Sequence, residues 1–138
     1  MYANVLVPID LEHKDQARTM IRTALAIADD GTKLTLLFVM PEMPAVVGLH
    51  LPEGSTEKAR VDAEDQLQEL AKDNNAPQTT SIVTAIGRPH HKILEMAEHH
   101  RIDLIVIASH QPGFADYLLG SVAASVVRHA KCSVHVIR

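Results

Sequence analysis

The sequence predicts a doubly wound α/β fold, Rossmann-like, with five parallel strands in the order 3-2-1-4-5 and helices on both faces. Two features of the chain point to it. Short apolar runs alternate strictly with stretches of helical periodicity from one end to the other. The runs are almost continuously apolar, as in strands covered on both faces, instead of alternating apolar with polar. No internal repeat or low-complexity tract interrupts the pattern.

Val5-Leu6-Val7-Pro8-Ile9 is the first such run. Ala17, Met20, Ile21, Ala24, Leu25 and Ala28 then fall at helical spacing, with Asp15 placed to cap the helix. Leu34 to Val39 forms the second strand. Ala59, Ala63, Leu67, Leu70 and Ala71 mark a helix starting near Ser55 or Thr56. Ser81 to Ile86 is the third strand, ended by Gly87. Pro89 suits the first turn of the next helix, whose stripe is Ile93, Leu94, Met96 and Ala97. The strand Leu104 to Ala108, a helix near 120–130 on Val122, Ala123, Val126, Val127 and Ala130, and the strand Val134 to Ile137 complete the set. One connection stands apart. The stretch from Pro41 to Gly54 holds three prolines with Met43, Val46, Val47 and Leu51, too apolar for a plain solvent loop. A lid, a partner contact and local packing against the second helix all fit it.

Bulk properties narrow the function. The 138 residues suit one domain, 1–138, with 46% apolar and 22% charged residues, ordinary for a soluble chain. No apolar run approaches the roughly 20 residues that span a membrane. Met1-Tyr2-Ala3-Asn4 leads straight into the first strand, so no signal or transit peptide is expected. The single cysteine, Cys132, rules out an internal disulfide framework and agrees with a reducing, cytoplasmic setting. A formal charge of −4, no Trp, two Phe and two Tyr leave no footprint for nucleic acid or for an anionic membrane.

In a 3-2-1-4-5 sheet the strand order reverses between strands 1 and 4, and ligands bind beyond the carboxyl ends at that point. Strand 1 ends at Pro8-Ile9-Asp10 and strand 4 at Ala108-Ser109-His110-Gln111. The chain after strand 4 crosses a small-residue loop and enters a helix at Gly120-Ser121-Val122. A strand, a polar loop and a helix start form a cradle for an anion, because the helix N-terminus carries unpaired N–H groups and the positive end of the dipole. Asp10 suits ribose hydroxyls or a phosphate-bound Mg²⁺. Ser109, His110, Gln111, Ser121 and the backbone N–H groups of residues 120–123 suit phosphate oxygens. Val39-Met40, ending strand 2, offers backbone groups and an apolar wall to a base. Singly, each feature has a plainer reading. Asp10 is then a turn residue, Ser109-His110 a turn pair, and Gly120-Ser121 a simple helix start.

These residues resemble the universal stress protein family over essentially the whole chain. The family's opening strand, hydrophobic-Val-Pro-hydrophobic-Asp, is similar to Leu6-Val7-Pro8-Ile9-Asp10. Its Gly-x-Pro ahead of an Ile-rich helix is similar to Gly87-Arg88-Pro89 and Ile93-Leu94-Glu95-Met96-Ala97. Its ending is matched by Leu119-Gly120-Ser121 and by Val127-Arg128-His129-Ala130-Lys131-Cys132-Ser133-Val134-His135-Val136. The phosphate loop departs from the pattern. ATP-binding members carry Gly-x-x-Gly, nine residues, then Gly-Ser or Gly-Thr. Here Ala108 and Gln111 stand at the glycine positions, and eight residues (112–119) precede Gly120. A side chain at position 111 restricts how closely the backbone approaches a phosphate, while Gly113 and the Gln111 amide offset part of that loss. This stretch looks closest to the F-type branch.

The resemblance implies a fold of the adenine-nucleotide alpha hydrolase type and binding of ATP, with Mg²⁺. It implies a site of Pro8, Ile9, Asp10, Val39, Ala108, Ser109, His110, Gln111, Gly120, Ser121 and Val122. It also implies a homodimer or higher assembly, and in parts of the family slow self-phosphorylation, for which Ser109 or Ser121 would be acceptors. The dimer has a physical argument of its own. The last strand, 132–138, lies at a sheet edge whose backbone groups a second copy would pair across a two-fold axis.

Other chemistries fit less well. The pairs His90-His91 and His99-His100 lack the spacing of a zinc site. His99 and His100 suit the negative end of a helix dipole, and Cys132 is expected to be buried. A receiver domain would need a phosphoacceptor Asp where Gly87 or Met40 stands, and no Gly-x-x-x-x-Gly-Lys-Ser/Thr motif is present. The 108–122 loop carries no Lys or Arg for phosphoryl transfer, and Asp116 would repel a triphosphate unless Mg²⁺ intervened. Two readings follow: a regulatory ATP binder with little or no turnover, and an interaction module with an empty crevice acting through its surfaces.

Overall fold

The computed structural model describes residues 1–109 and 119–138. Its elements are β1 (Asn4–Pro8), α1 (Lys14–Ile27), β2 (Lys33–Met40), α2 (Ala45–Leu49), α3 (Ser55–Asp73), β3 (Ser81–Ile86), α4 (Pro89–His99), β4 (Leu104–Ala108), α5 (Ser121–His129) and β5 (Ser133–Ile137). The five strands form one parallel sheet in the order β3-β2-β1-β4-β5, as the sequence predicts.

The period-2 alternation of strand side chains divides the core between the two faces. Val5, Val7, Leu34, Leu36, Leu104 and Val106 face α1 and α3. They meet Ala17, Met20, Ile21 and Ala24 of α1, and Leu67, Leu70 and Ala71 of α3. Leu6, Leu37, Ile105 and Ile107 face the other way, onto Ile93 and Ala97 of α4 and Ala123 and Val126 of α5. Strands sandwiched like this have no solvated face, which is why their sequences read as unbroken apolar runs.

Two helices end in the same way for the same reason. After α3 the Ala76 N–H bonds the Ala71 carbonyl, and after α4 the Ile102 N–H bonds the Ala97 carbonyl, each a six-to-one Schellman closure. The motif needs a left-handed residue between, supplied by Asn75 at φ 57° and Arg101 at φ 52°. Gly87 ends β3 with φ 150°, a backbone conformation that L side chains rarely adopt, so the position favours glycine.

Three local expectations are corrected. Asp15 does not cap α1: the helix begins at Lys14 with His13 at the N-cap, and Asp15 lies inside the first turn, 2.5 Å from Arg18. The chain has already turned at Asp10, whose carbonyl accepts the His13 N–H at 3.1 Å. Ala59 is exposed, so the buried stripe of α3 starts only at Ala63. Cys132 is half-buried, not buried. The 41–54 connection contains the short helix α2, no residue of which is buried; Val46 is 68% and Leu49 84% exposed. Local packing against α3 therefore does not account for its apolar character. Among the described residues no helix is long and apolar enough to cross a membrane.

Candidate functional site

Beyond the carboxyl ends of β1 and β4, where the sheet order reverses, lies a cavity of about 700 Å³, inside the roughly 300–1,000 Å³ typical of small-molecule sites. Pro8, Ile9, Asp10, Val39, Ala108, Ser109, Gly120, Ser121 and Val122 all line it, so the structure brings together nine of the eleven residues that the sequence singles out. His110 and Gln111 lie outside the described residues.

The ladder geometry explains why this cavity is open to hydrogen bonding. The last rung between β1 and β2 runs from the Ile9 N–H to the Leu37 carbonyl, 2.8 Å. Backbone groups of alternate residues point to the same side of a strand, so Val39 presents its N–H and C=O toward β1 as Leu37 does. At that level β1 has ended and the chain has turned away at Asp10. Phe38 and Met40 point the other way, and the Met40 carbonyl accepts the Gly87 N–H at 2.9 Å. One donor and one acceptor of Val39, side by side, thus face the crevice.

On the opposite wall the end of β4 and the start of α5 are joined directly. The Ser109 N–H bonds the Ile137 carbonyl at 2.8 Å, and the Ser109 carbonyl accepts the Gly120 N–H at 2.5 Å. That bond corrects one expectation: the Gly120 N–H is taken by Ser109 and is not available to a ligand. Gly120 is the N-cap of α5 and makes no side-chain capping bond. The N–H groups of Ser121, Val122 and Ala123 form the helix's first turn at the cavity wall, with the positive end of the dipole. Ser109 is 1% exposed, whereas Ser121 is exposed at the start of α5.

Asp10 is held from two sides. One carboxylate oxygen accepts the Glu12 N–H at 2.9 Å, an Asx turn, and the other lies 2.8 Å from His13 Nδ1. Sequence reasoning missed His13, which the spacing Asp-x-x-His directly after a strand would have flagged. It also assigned Met20 to the core alone and passed over Gln16; the two sit at i, i+4 on α1 and both reach the cavity. Leu11, Glu12, Phe38, Pro41, Pro89, Ile107, Leu119 and Ala123 complete the described lining. Its charged members are the carboxylates Asp10 and Glu12; no lysine or arginine is among the described residues there.

The alternative chemistries find no comparable setting. Cys132 borders a separate cleft of about 160 Å³ at the far ends of α4 and α5. Burial, and then the charge of Asp103, push its thiol pKa up, which disfavours the nucleophilic thiolate. His99 and His100 pack edge to face at 5.0 Å at the end of α4, and among the described residues no three His, Cys, Asp or Glu side chains converge on a metal position.

A profile of the universal stress protein family matches residues 1–138. The chain belongs to that family. It is 30% identical to "Universal stress protein G" of Escherichia coli O157:H7 over 143 residues, covering 100% of both chains. Among solved structures it is similar to "Universal stress protein UspA" from Lactobacillus plantarum, at 29% identity and TM-score 0.71, covering 99% of this chain and 98% of that one. A universal stress protein from Archaeoglobus fulgidus, solved in complex with dAMP, shares the fold at 20% identity and TM-score 0.67, covering 99% and 98%.

Proposed function

We propose that this chain is a regulatory adenine-nucleotide binder that takes ATP with Mg²⁺ and turns it over little or not at all. The observation that carries the reading is the convergence, on one cavity, of three complementary groups. The paired N–H and C=O of Val39 match the hydrogen-bonding edge of adenine. The Asp10 carboxylate suits ribose hydroxyls. The first-turn N–H groups of α5 suit phosphate oxygens. The relative solved with dAMP agrees with a nucleotide in this fold. Asp10 and Glu12, with no lysine or arginine in the described lining, argue for Mg²⁺, since a bare triphosphate would meet two carboxylates there. The same lack of a lysine or arginine argues against phosphoryl transfer, which depends on stabilising charge on the transferring group.

Calorimetric titration of ATP into nucleotide-free protein tests this reading. With Mg²⁺ the expected result is saturable binding, about one nucleotide per chain. With a chelator the affinity is expected to fall about tenfold. Absence of heat under both conditions would leave an interaction module with an empty crevice as the better reading.

The same reading includes a homodimer through β5. Ile137 spends its carbonyl on Ser109 of the loop after β4, so Val134 and Val136, of opposite parity, direct their backbone groups to the free edge. Val136→Pro therefore removes an edge donor without breaking a bond to β4. Sedimentation of this variant is expected to show a monomer where the parent protein is a dimer. A variant that still sediments as a dimer would place the interface elsewhere.

A further inference from the structure

The Asp10 carboxylate does not hang free at the lip of the cavity. The Asx turn to the Glu12 N–H fixes one oxygen at 2.9 Å, and the His13 ring meets the other at 2.8 Å. A carboxylate only accepts, so this second hydrogen bond requires the proton on His13 Nδ1. The ring is in turn anchored by its backbone: the His13 N–H bonds the Asp10 carbonyl at 3.1 Å, and the His13 carbonyl accepts the first intrahelical bond of α1, from Ala17 at 3.0 Å. His13 is absent from the cavity lining, whereas Asp10 is part of it. The imidazole thus acts from behind. Each oxygen is left with a lone pair for a ligand, in an orientation that the ring dictates.

From this geometry we infer that His13 is a positioning residue, which presents Asp10 as a fixed acceptor for the ribose hydroxyls and so selects ribonucleotides. The inference rests on the nucleotide reading above and adds to it the residue that sets sugar specificity. A carboxylate held by two donors loses little further freedom when a vicinal diol docks, whereas a rotating one must be ordered at that moment. The i, i+3 spacing across the turn after β1 and the N-cap position of His13 hold the ring from outside the cavity lining.

The test compares Mg·ATP with Mg·2′,3′-dideoxy-ATP on the full chain, using the parent protein, His13→Ala and His13→Asn. The asparagine amide places a donor close to where Nδ1 stands. His13→Ala is expected to weaken Mg·ATP about tenfold and to leave the dideoxy analogue, already the weaker ligand, within twofold of the parent. His13→Asn is expected to recover most of the loss. An equal loss for both nucleotides, no loss, or an asparagine variant as weak as the alanine one would overturn the positioning role. A long-range ¹H–¹⁵N correlation spectrum of the ligand-free protein separates this from failure of the nucleotide reading. A proton found on His13 Nδ1 while neither nucleotide binds the parent would sink the nucleotide reading and, with it, the sugar selectivity, leaving the hydrogen bond as a turn element. A proton found on Nε2 alone would remove the clamp itself.

Discussion

Asp10→Ala is expected to weaken Mg·ATP binding about a hundredfold, the largest functional loss of any single substitution in the site. Hydrogen bonds to a charged group contribute roughly 1.5–3 kcal/mol, and each 1.4 kcal/mol is a factor of ten in affinity. The substitution removes the carboxylate from the cavity lining together with the Asx turn that shapes the lip. It exceeds the effect of removing His13, which leaves the carboxylate in place but unguided. The fold should survive. Asp10 is half-exposed and sits outside both hydrophobic clusters, so the melting temperature is expected to drop by only a few degrees, roughly 1 kcal/mol. Titration calorimetry alongside a melting curve reads both quantities. An affinity unchanged within twofold would remove Asp10 from the binding machinery.

The largest stability loss is expected at Leu6. This side chain is fully buried on β1, the middle strand of the sheet, and packs with Leu37, Ile105 and Ile107 beneath α4 and α5. Leu6→Ala deletes apolar contacts and leaves a cavity that strands paired on both sides cannot collapse to fill. The expected cost is about 3 kcal/mol, and about 10 °C in melting temperature for a chain of this size. Val127→Ala on the exposed side of α5 is the control, expected within roughly 0.5 kcal/mol of the parent. Urea denaturation followed by circular dichroism measures both. Comparable losses in the two variants would contradict the placement of the core.

The fold was legible because its signal is periodic and strong. Val5 to Ile9 and Leu104 to Ala108 are apolar on both faces, since helices cover both, and Gly87-Arg88-Pro89 marks a strand end and a helix start within three residues. The candidate site was legible through topology: once the strand order is known, the residues that end β1 and β4 are expected at one crevice, and Asp10 and Ser109 line the same cavity. What remained hidden depends on directions that a sequence does not carry. Capping by Asp15 failed because Asp10 had already folded the chain into a turn and left His13 at the helix start. The Gly120 N–H looked available because its capture by the Ser109 carbonyl joins residues on either side of a loop. For the 41–54 connection a lid, a partner contact and local packing all stayed open, since apolar residues between prolines serve each of these, and the exposure of α2 emerges only once the segment is placed.

The central claim is that the cavity between the ends of β1, β2 and β4 and the start of α5 receives an adenine nucleotide. Titrating Mg·ATP into ¹⁵N-labelled protein and following the backbone amides tests it most directly, since one experiment reads both affinity and location. The account predicts saturable shifts concentrated at Val39, at Asp10 to His13 and at Ser121 to Ala123, with β3 and the far ends of α4 and α5 unchanged. Shifts confined to surfaces away from this cavity, or no shifts at millimolar nucleotide, would contradict it.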